Sequence, residues 1–279
     1  MHVDLARTLF MAWPFPFGHV RLMNWLNPAA VNQHSVVTKL RGFPIQIEYD
    51  PNSYIGRFIY FRGIYEEQIA GAIASALRPG MTFVDIGANI GQHTCIAASV
   101  VGAAGRVIAI EPQLLVRERL ERNVARNCLL NVDVISNAIG AEIRSGRLIH
   151  RDSRNDGQAS LASEEGDISQ SFETVEIRPL AAVMADLDVA HADVMKIDVE
   201  GAEMNVFQGA ESFLCGNLPS TIFVECIDGH LGRFGNSSAQ LIGWLHDHGY
   251  VVRALLRGGR WRLVERGSAA SANLMASLV

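Results

Sequence analysis

Met81–Gln92 reads MTFVDIGANIGQ. Thr82, Phe83, Val84 and Ile86 are β-branched or aromatic, the composition of a buried strand. Asp85 falls at the carboxyl end of that strand, where open α/β sheets bind ligands. Gly87 and Gly91, with Ala88 between them, allow a tight turn and close approach of backbone to a ligand. Asn89 occupies the place of the second glycine in the dinucleotide fingerprint G-x-G-x-x-G. The spacing here is G-x-x-x-G with an acid in front. A carboxylate there repels a pyrophosphate but suits an ammonium group or, indirectly, a sulfonium.

The flanking sequence repeats the strand–helix alternation. Upstream, Tyr65–Leu77 places Ile69, Ile73 and Leu77 on one helical face and stops at Arg78-Pro79-Gly80. Downstream, a helix from about Ile90 to Val101, a strand Arg106–Ile110, a helix Leu114–Asn127 with Leu115, Leu120 and Val124 inward, and a strand Val132–Ile135 are expected. Two more strand–helix units follow, Val194–Ile197 with Gly201–Leu214 and Thr221–Val224 with Ala239–His248. Tyr250–Leu256 and Trp261–Val264 read as a hairpin through Gly258-Gly259. The expected fold is α/β: a doubly wound, mostly parallel seven-stranded sheet closing with an antiparallel C-terminal hairpin, with an N-terminal extension. The domain spans 61–267, the extension 1–60 and a small-residue tail 268–279. Lys39–Tyr49 suggests a strand pair inside the extension. Between Leu148-Ile149 and Thr174–Ile177, two short strand candidates, lies the polar stretch Arg151–Ser171, a candidate substrate lid.

The chain has 279 residues, 49% hydrophobic and 19% charged, with net charge −5. That is an ordinary globular composition, and its sign argues against nonspecific nucleic-acid binding. Cys95, Cys128, Cys215 and Cys226 are scattered and read as reduced thiols of a cytoplasmic protein. No apolar run is long enough for a membrane span.

Glu111 lies 26 positions after Asp85, at the end of the second strand. A carboxylate there accepts both hydroxyls of a ribose. Asn137 and Ala138 end the third strand, beside the expected adenine. Met195–Glu203, MKIDVEGAE, brings Asp198 to the switch point opposite Asp85, with Glu200 and Glu203 in the turn behind it. Lys196 inside a strand requires an acidic partner or a solvated end. Asp198 and Glu225 end adjacent strands, so Asp198, Glu225 and Asp228, or His230 in place of Asp228, form a candidate oxygen-rich site for Mg²⁺.

FVDIGANIG, RVIAIEP, the Leu-x-x-Asn-x-x-x-Asn run at Leu120–Asn127 and MKIDVEGAE together resemble the FkbM family of S-adenosylmethionine (SAM)-dependent methyltransferases, over roughly Tyr65–Tyr250. The resemblance implies the class I methyltransferase fold, which is Rossmann-like. It also implies O-methylation of a sugar or secondary-metabolite hydroxyl and SAM bound by Asp85, Gly87, Asn89, Gly91 and Glu111. The Asp198–Glu203 block then faces the methyl donor. Ala88, Asn137, Ala138 and Asp198 complete the expected donor contacts. Asp198 is the first candidate for general base, followed by His230 and Glu200. Gln92-His93 departs from the apolar or aromatic pattern of the family. Two other readings share the adenosine logic, an NAD(P)-linked oxidoreductase and a noncatalytic SAM-binding protein. Asn89, Asp85 and the terminal hairpin weigh against the first, and the Asp198–Glu203 block against the second. The acceptor is a small molecule or saccharide. The aromatic N-terminus (Trp13, Phe15, Phe17, Trp25) stacks on it, holds a second subunit in a homodimer, or packs on the domain.

Overall fold

A computed structural model describes residues 35–150, 159–161 and 172–278. The N-terminal aromatic cluster lies outside them, as does the expected lid apart from 159–161.

The described chain begins with a hairpin, β1 (Val36–Lys39) and β2 (Gln46–Tyr49), followed by α1 (Tyr54–Arg62) and α2 (Glu67–Ala76). Helix α1 starts where the Ser53 hydroxyl accepts the Gly56 N–H at 3.0 Å, an N-cap that satisfies an otherwise orphan donor. Then come β3 (Thr82–Ile86), α3 (Gln92–Val101), β4 (Arg106–Ile110), α4 (Leu114–Arg126) and β5 (Val132–Ile135). A four-stranded insertion follows, with β6 (Ala138–Ile139), β7 (Arg144–His150), β8 (Ala159–Leu161) and β9 (Phe172–Arg178) in the order β6-β9-β7-β8. The chain returns to the main sheet through α5 (Leu180–Asp186), β10 (Val194–Ile197), α6 (Glu203–Leu214), β11 (Thr221–Cys226), the short α7 (Asp228–Leu231), α8 (Ser238–Asp247), β12 (Tyr250–Leu255), β13 (Trp261–Leu263) and β14 (Ala272–Leu278).

The main sheet runs β13-β12-β14-β11-β10-β3-β4-β5. Strands β11, β10, β3, β4 and β5 are parallel, and β14 is antiparallel to both β11 and β12. The order in which successive strands are added reverses between the parallel neighbours β3 and β10, so their carboxyl ends flank the switch-point crevice. Their interiors read as continuous apolar runs because both faces are covered, and Val84, Ile108, Met195 and Ile222 are all buried.

Three differences from the sequence reading have physical causes. Residues 268–279 are not a tail: Ala272–Leu278 is a strand in the middle of the sheet, with Leu274 and Ala276 fully buried. The small residues hid it, because a strand squeezed between two others needs no bulky side chains to be covered. The hairpin β12/β13 exists, but the sheet closes on β14, and β13 makes an eighth, edge strand. On α4 it is Val116, Leu120 and Val124 that face inward, while Leu115 is 72% exposed. Val116, Leu120 and Val124 follow the i, i+4, i+8 spacing of one helix face, and Leu115 falls off it.

The Leu-x-x-Asn-x-x-x-Asn run proves to be a clamp. Asn123 Oδ1 accepts the Glu48 N–H at 2.7 Å, and its Nδ2 donates to the carbonyls of Glu48 at 3.0 Å and Ile90 at 2.8 Å. Asn127 treats both backbone groups of Gln46 the same way. Two helix side chains thus pair with the edge of β2 as a neighbouring strand would. Arg122 and Arg126 reinforce them at the Glu48 carboxylate, at 3.1 and 2.8 Å.

Candidate active site

The carboxyl ends of β3, β4, β10 and β11 open into a cavity of about 350 Å³, within the range of small-ligand sites. Three of the five non-glycine residues with positive φ among the described residues line it: Glu66 (45°), Asn89 (51°) and Glu200 (57°). Such conformations cost of order 1–3 kcal/mol each and cluster at functional sites.

One half of the cavity is built by the turn after β3. Gly87 has φ +80°, and a Cβ there would stand 1.9 Å from the Asp198 carbonyl oxygen. Only glycine lets the ends of β3 and β10 approach so closely. Beyond it, Glu111 Oε2 accepts the Asn89 N–H and Oε1 the Gln113 N–H, each at 2.9 Å. Those bonds fix the carboxylate at the mouth of β4 while each oxygen keeps a lone pair for a ligand. Burial raises the Glu111 pKa to about 7, against the lowering pull of these N–H groups and Arg117. Ala88, Asn89, Asn137 and Ala138 line the same half, Asn137 donating to the Glu176 carboxylate at 2.8 Å.

Two expected donor contacts lie elsewhere. Gly91 faces Leu120, whose Cδ1 would be 2.4 Å from an added Cβ. Its role is to let α3 and α4 pack. Asp85 is fully buried beneath the cavity wall. Its Oδ2 accepts the Thr94 hydroxyl at 2.6 Å, and its Oδ1 lies 3.9 Å from the Lys196 ammonium. Asp85 therefore holds Lys196, and Lys196 reaches the cavity in its place, 3.1 Å from Asp198 Oδ2. Burial works against the Lys196 charge, but Asp198, Asp85 and Glu66 outweigh it and hold its pKa above the ordinary lysine value.

The other half of the cavity is acidic and aromatic. Tyr54 and Tyr65 line it, joined edge-to-face through Phe58. His230, at the end of β11 in α7, brings Nδ1 within 3.0 Å of Glu225 Oε2 and 3.3 Å of Glu200 Oε2. Burial and then the neighbouring Asp198, Glu200, Glu203 and Glu66 carboxylates push Glu225 up to about 9. Asp228 stays out of this group: its Oδ1 accepts the Ser238 N–H at 2.7 Å, at the start of α8. The expected Asp198–Glu225–Asp228 oxygen set is thus not assembled, because Asp198 is engaged by Lys196 and Asp228 by α8. Glu200, Glu225 and His230 converge instead.

Sequence reasoning did not find Tyr54, Tyr65, Glu66 or His93. His93 is fully enclosed by the α3 packing, yet lines the cavity, and its Nε2 has no hydrogen-bond partner among the described residues. Burial, with Lys196 nearby, depresses its pKa well below the ordinary histidine value, so the ring is neutral. Its departure from the apolar pattern after Gly91 was the one available signal. Gln92 explains the other half of that departure: its amide accepts the Tyr65 N–H at 2.9 Å and donates to the Tyr65 carbonyl at 2.7 Å, pinning the segment that carries Tyr65 and Glu66.

The methyltransferase FkbM domain matches residues 85–252, more than half of the chain. The chain belongs to the FkbM methyltransferase family. The match begins at Asp85 near the end of β3, takes in Glu111, the whole insertion, the Asp198–Glu203 turn and His230, and stops before β14. The AMB antimetabolite synthetase AmbE of Pseudomonas aeruginosa is 26% identical over 235 residues, 71% of this chain and 11% of that protein. The chain therefore spans about a tenth of that relative. Among solved structures, a SAM-dependent O-methyltransferase of Thermotoga maritima is 17% identical with a TM-score of 0.41, covering 91% of this chain and 81% of that one. The O-methyltransferase TomG of Streptomyces achromogenes, solved with SAM, is 12% identical with a TM-score of 0.46, covering 77% and 81%. No helix among the described residues is long and apolar enough to cross a membrane.

Proposed function

We propose that this methyltransferase uses SAM and methylates a hydroxyl of a sugar or secondary-metabolite acceptor. The observation that carries the reading is the Glu111 carboxylate, fixed by two backbone N–H groups at the end of β4 beside the Ala88-Asn89 turn. That is the geometry a ribose diol requires. The residues fit the donor in a second respect, since the unpartnered His93 Nε2 offers a buried neutral contact on the same wall. SAM supplies an already activated methyl group, which leaves the protein to position and deprotonate the acceptor.

Glu111 and Asn89 hold the donor at one end, and Asn137 and Ala138 border its base. The Lys196–Asp198 pair stands at the switch point between the two halves, with the Asp198 carboxylate open to the cavity. We assign Asp198 as the group that accepts the acceptor's proton. Tyr54 and Tyr65 give the acceptor half a flat apolar wall of the kind that packs against sugar or aromatic rings. Orientation of the two reactants is the larger effect, worth up to about 7–11 kcal/mol of the barrier. The free cysteines and net charge −5 support a cytoplasmic enzyme acting on small molecules and not on nucleic acid.

Calorimetric titration with SAM, S-adenosylhomocysteine and NAD(P)H tests the donor. Saturable binding of the first two and none of the third is expected. Binding of NAD(P)H alone would overturn the reading. A gain of one methyl mass on a member of a hydroxylated acceptor library tests the reaction.

A further inference from the structure

We propose that Glu200, Glu225 and His230 form a binding site for a borderline divalent cation, Mn²⁺ or Zn²⁺, at the acceptor end of the cavity. One ligand atom from each lies within 4.8 Å of the others. The two spacings to His230 Nδ1, 3.0 and 3.3 Å, match the edges of a polyhedron with metal–ligand bonds of about 2.0–2.1 Å, since a tetrahedral edge is then about 3.3 Å. One imidazole with two carboxylates suits Mn²⁺ or Zn²⁺ better than Mg²⁺, which prefers oxygen alone. All three side chains are part-buried and line the cavity, so the remaining coordination positions open onto the acceptor space.

The charge around the cluster favours a cation. Asp198 and Glu66 face the same space, against Lys196, which Asp85 and Asp198 already engage. Arg233 approaches Glu200 from outside, but its guanidinium bonds the Glu200 carbonyl at 2.7 Å and stands 3.9 Å from the carboxylate. A ligand in this cavity is also indicated by His93, enclosed to 7% exposure with an unpartnered Nε2 on the cavity wall. The role of the cation rests on the methyltransferase reading. The Lys196 ammonium stands 3.1 Å from Asp198, and a hydroxyl placed beside a divalent cation is more acidic. The acceptor's O–H bond then breaks with its proton passing to Asp198, and its oxygen attacks the methyl carbon as the S–CH₃ bond breaks onto sulfur.

The experiment is calorimetry of the full chain, stripped with chelator, against MnCl₂, ZnCl₂ and MgCl₂. One Mn²⁺ or Zn²⁺ per chain is expected at micromolar affinity, with Mg²⁺ at least tenfold weaker. Glu200→Gln, Glu225→Gln and His230→Gln should each weaken Mn²⁺ at least tenfold, while Asp228→Asn binds as the parent does. If a variant fails to melt cooperatively, Mn²⁺ broadening of the parent's histidine ring resonances replaces it: His230 should broaden before His246 and His248. Absence of stoichiometric binding, equal binding by the three variants, or broadening of all rings alike overturns the site. Neither donor nor acceptor is present, so failure here leaves the methyltransferase reading intact, and failure of SAM titration leaves the cation result intact.

Discussion

Replacing Lys196 with methionine tests the correction made to Asp85. The lysine is 5% exposed and Asp85 is fully buried. At 3.9 Å, two unit charges in an effective dielectric of about 20 attract by about 4 kcal/mol. Methionine keeps the volume of the lysine stem, so the loss is mainly the charge. Breaking a buried pair by removing one partner costs about 3–5 kcal/mol, because the other charge stays behind. Asp85 can relieve part of that by taking a proton. Burial already raises its pKa in the fold, against the lowering pull of Lys196 and the Thr94 hydroxyl, and loss of the lysine raises it further. An acid whose pKa is higher folded than unfolded stabilises the fold most below the unfolded value, and that stability is lost as pH climbs through the folded value. The Lys196→Met deficit is therefore largest at pH 8.5 and smaller at pH 5.5. Urea unfolding at both pH values measures it, with Asp85→Asn and the double variant closing the cycle. The double variant should recover more than half of the loss at pH 8.5. A single variant within about 1 kcal/mol of the parent there, or a double no better than the single, would refute the pairing. So would an Asp85→Asn variant of unchanged stability that loses SAM affinity, the behaviour of a direct donor anchor.

Gly87→Ala places a Cβ 1.9 Å from the Asp198 carbonyl at φ +80°. The backbone alone costs about 1–2 kcal/mol and the collision adds to it, so urea unfolding should show a loss above about 2 kcal/mol together with loss of SAM binding; an unchanged midpoint would sink the close-approach argument. Glu111→Gln should weaken SAM at least tenfold in calorimetry. Because the parent carboxyl is raised to about 7 in the fold, its stability contribution is present below the unfolded value and lost as pH rises through about 7, so the variant gains on the parent between pH 5 and pH 8. A gap independent of pH contradicts that. Asp198→Asn should keep SAM affinity within a few-fold and lower turnover by roughly 10²–10⁴, and unchanged turnover removes Asp198 as the proton acceptor. Deleting 272–279 removes the strand between β11 and β12. No cooperative unfolding transition is expected, and a parent-like melt would contradict the sheet order.

The parallel half of the sheet was legible because its strands are short, largely apolar runs, β4, β5 and β10 each followed by a polar residue, Glu111, Ser136 and Asp198. Strand β14 was not, since Ala272, Ala276 and Ser277 carry too little side chain to make a pattern. The half of the cavity built by the β3 turn and Glu111 was legible for a related reason: turn glycines and a strand-end acid are local signals. Asp85 misled because its position along the strand says which end it occupies and not which way its carboxylate turns. The other, acidic and aromatic half is assembled from parts distant in sequence. Tyr54 and Tyr65 lie in an N-terminal segment with no motif, and His230 meets Glu200 only because α7 folds back over the turn after β10. A Cβ on Gly201 would stand 2.3 Å from the His230 carbonyl, so that glycine is what brings the two segments together.

Amide side chains join the halves. Asn123 bonds the Ile90 carbonyl, next to the donor turn, and both backbone groups of Glu48. Gln92 bonds both backbone groups of Tyr65, and Asn273 on β14 donates to the Glu66 carboxylate at 3.0 Å. An amide offers donor and acceptor together and carries no charge, so the backbone ties of Asn123 and Gln92 hold across the pH range in which the nearby carboxylates titrate. They come from α3, α4 and β14, and the groups they hold are the Glu48 backbone, the Ile90 carbonyl and the Tyr65-Glu66 segment. The aromatic wall of the cavity, Tyr54 and Tyr65, is thus tied by neutral amides to the frame that carries Glu111 and Asn89. On the proposed function, changes confined to residues 54–66 alter what the wall accepts while Glu111, Asn89 and the Lys196–Asp198 pair stay in place.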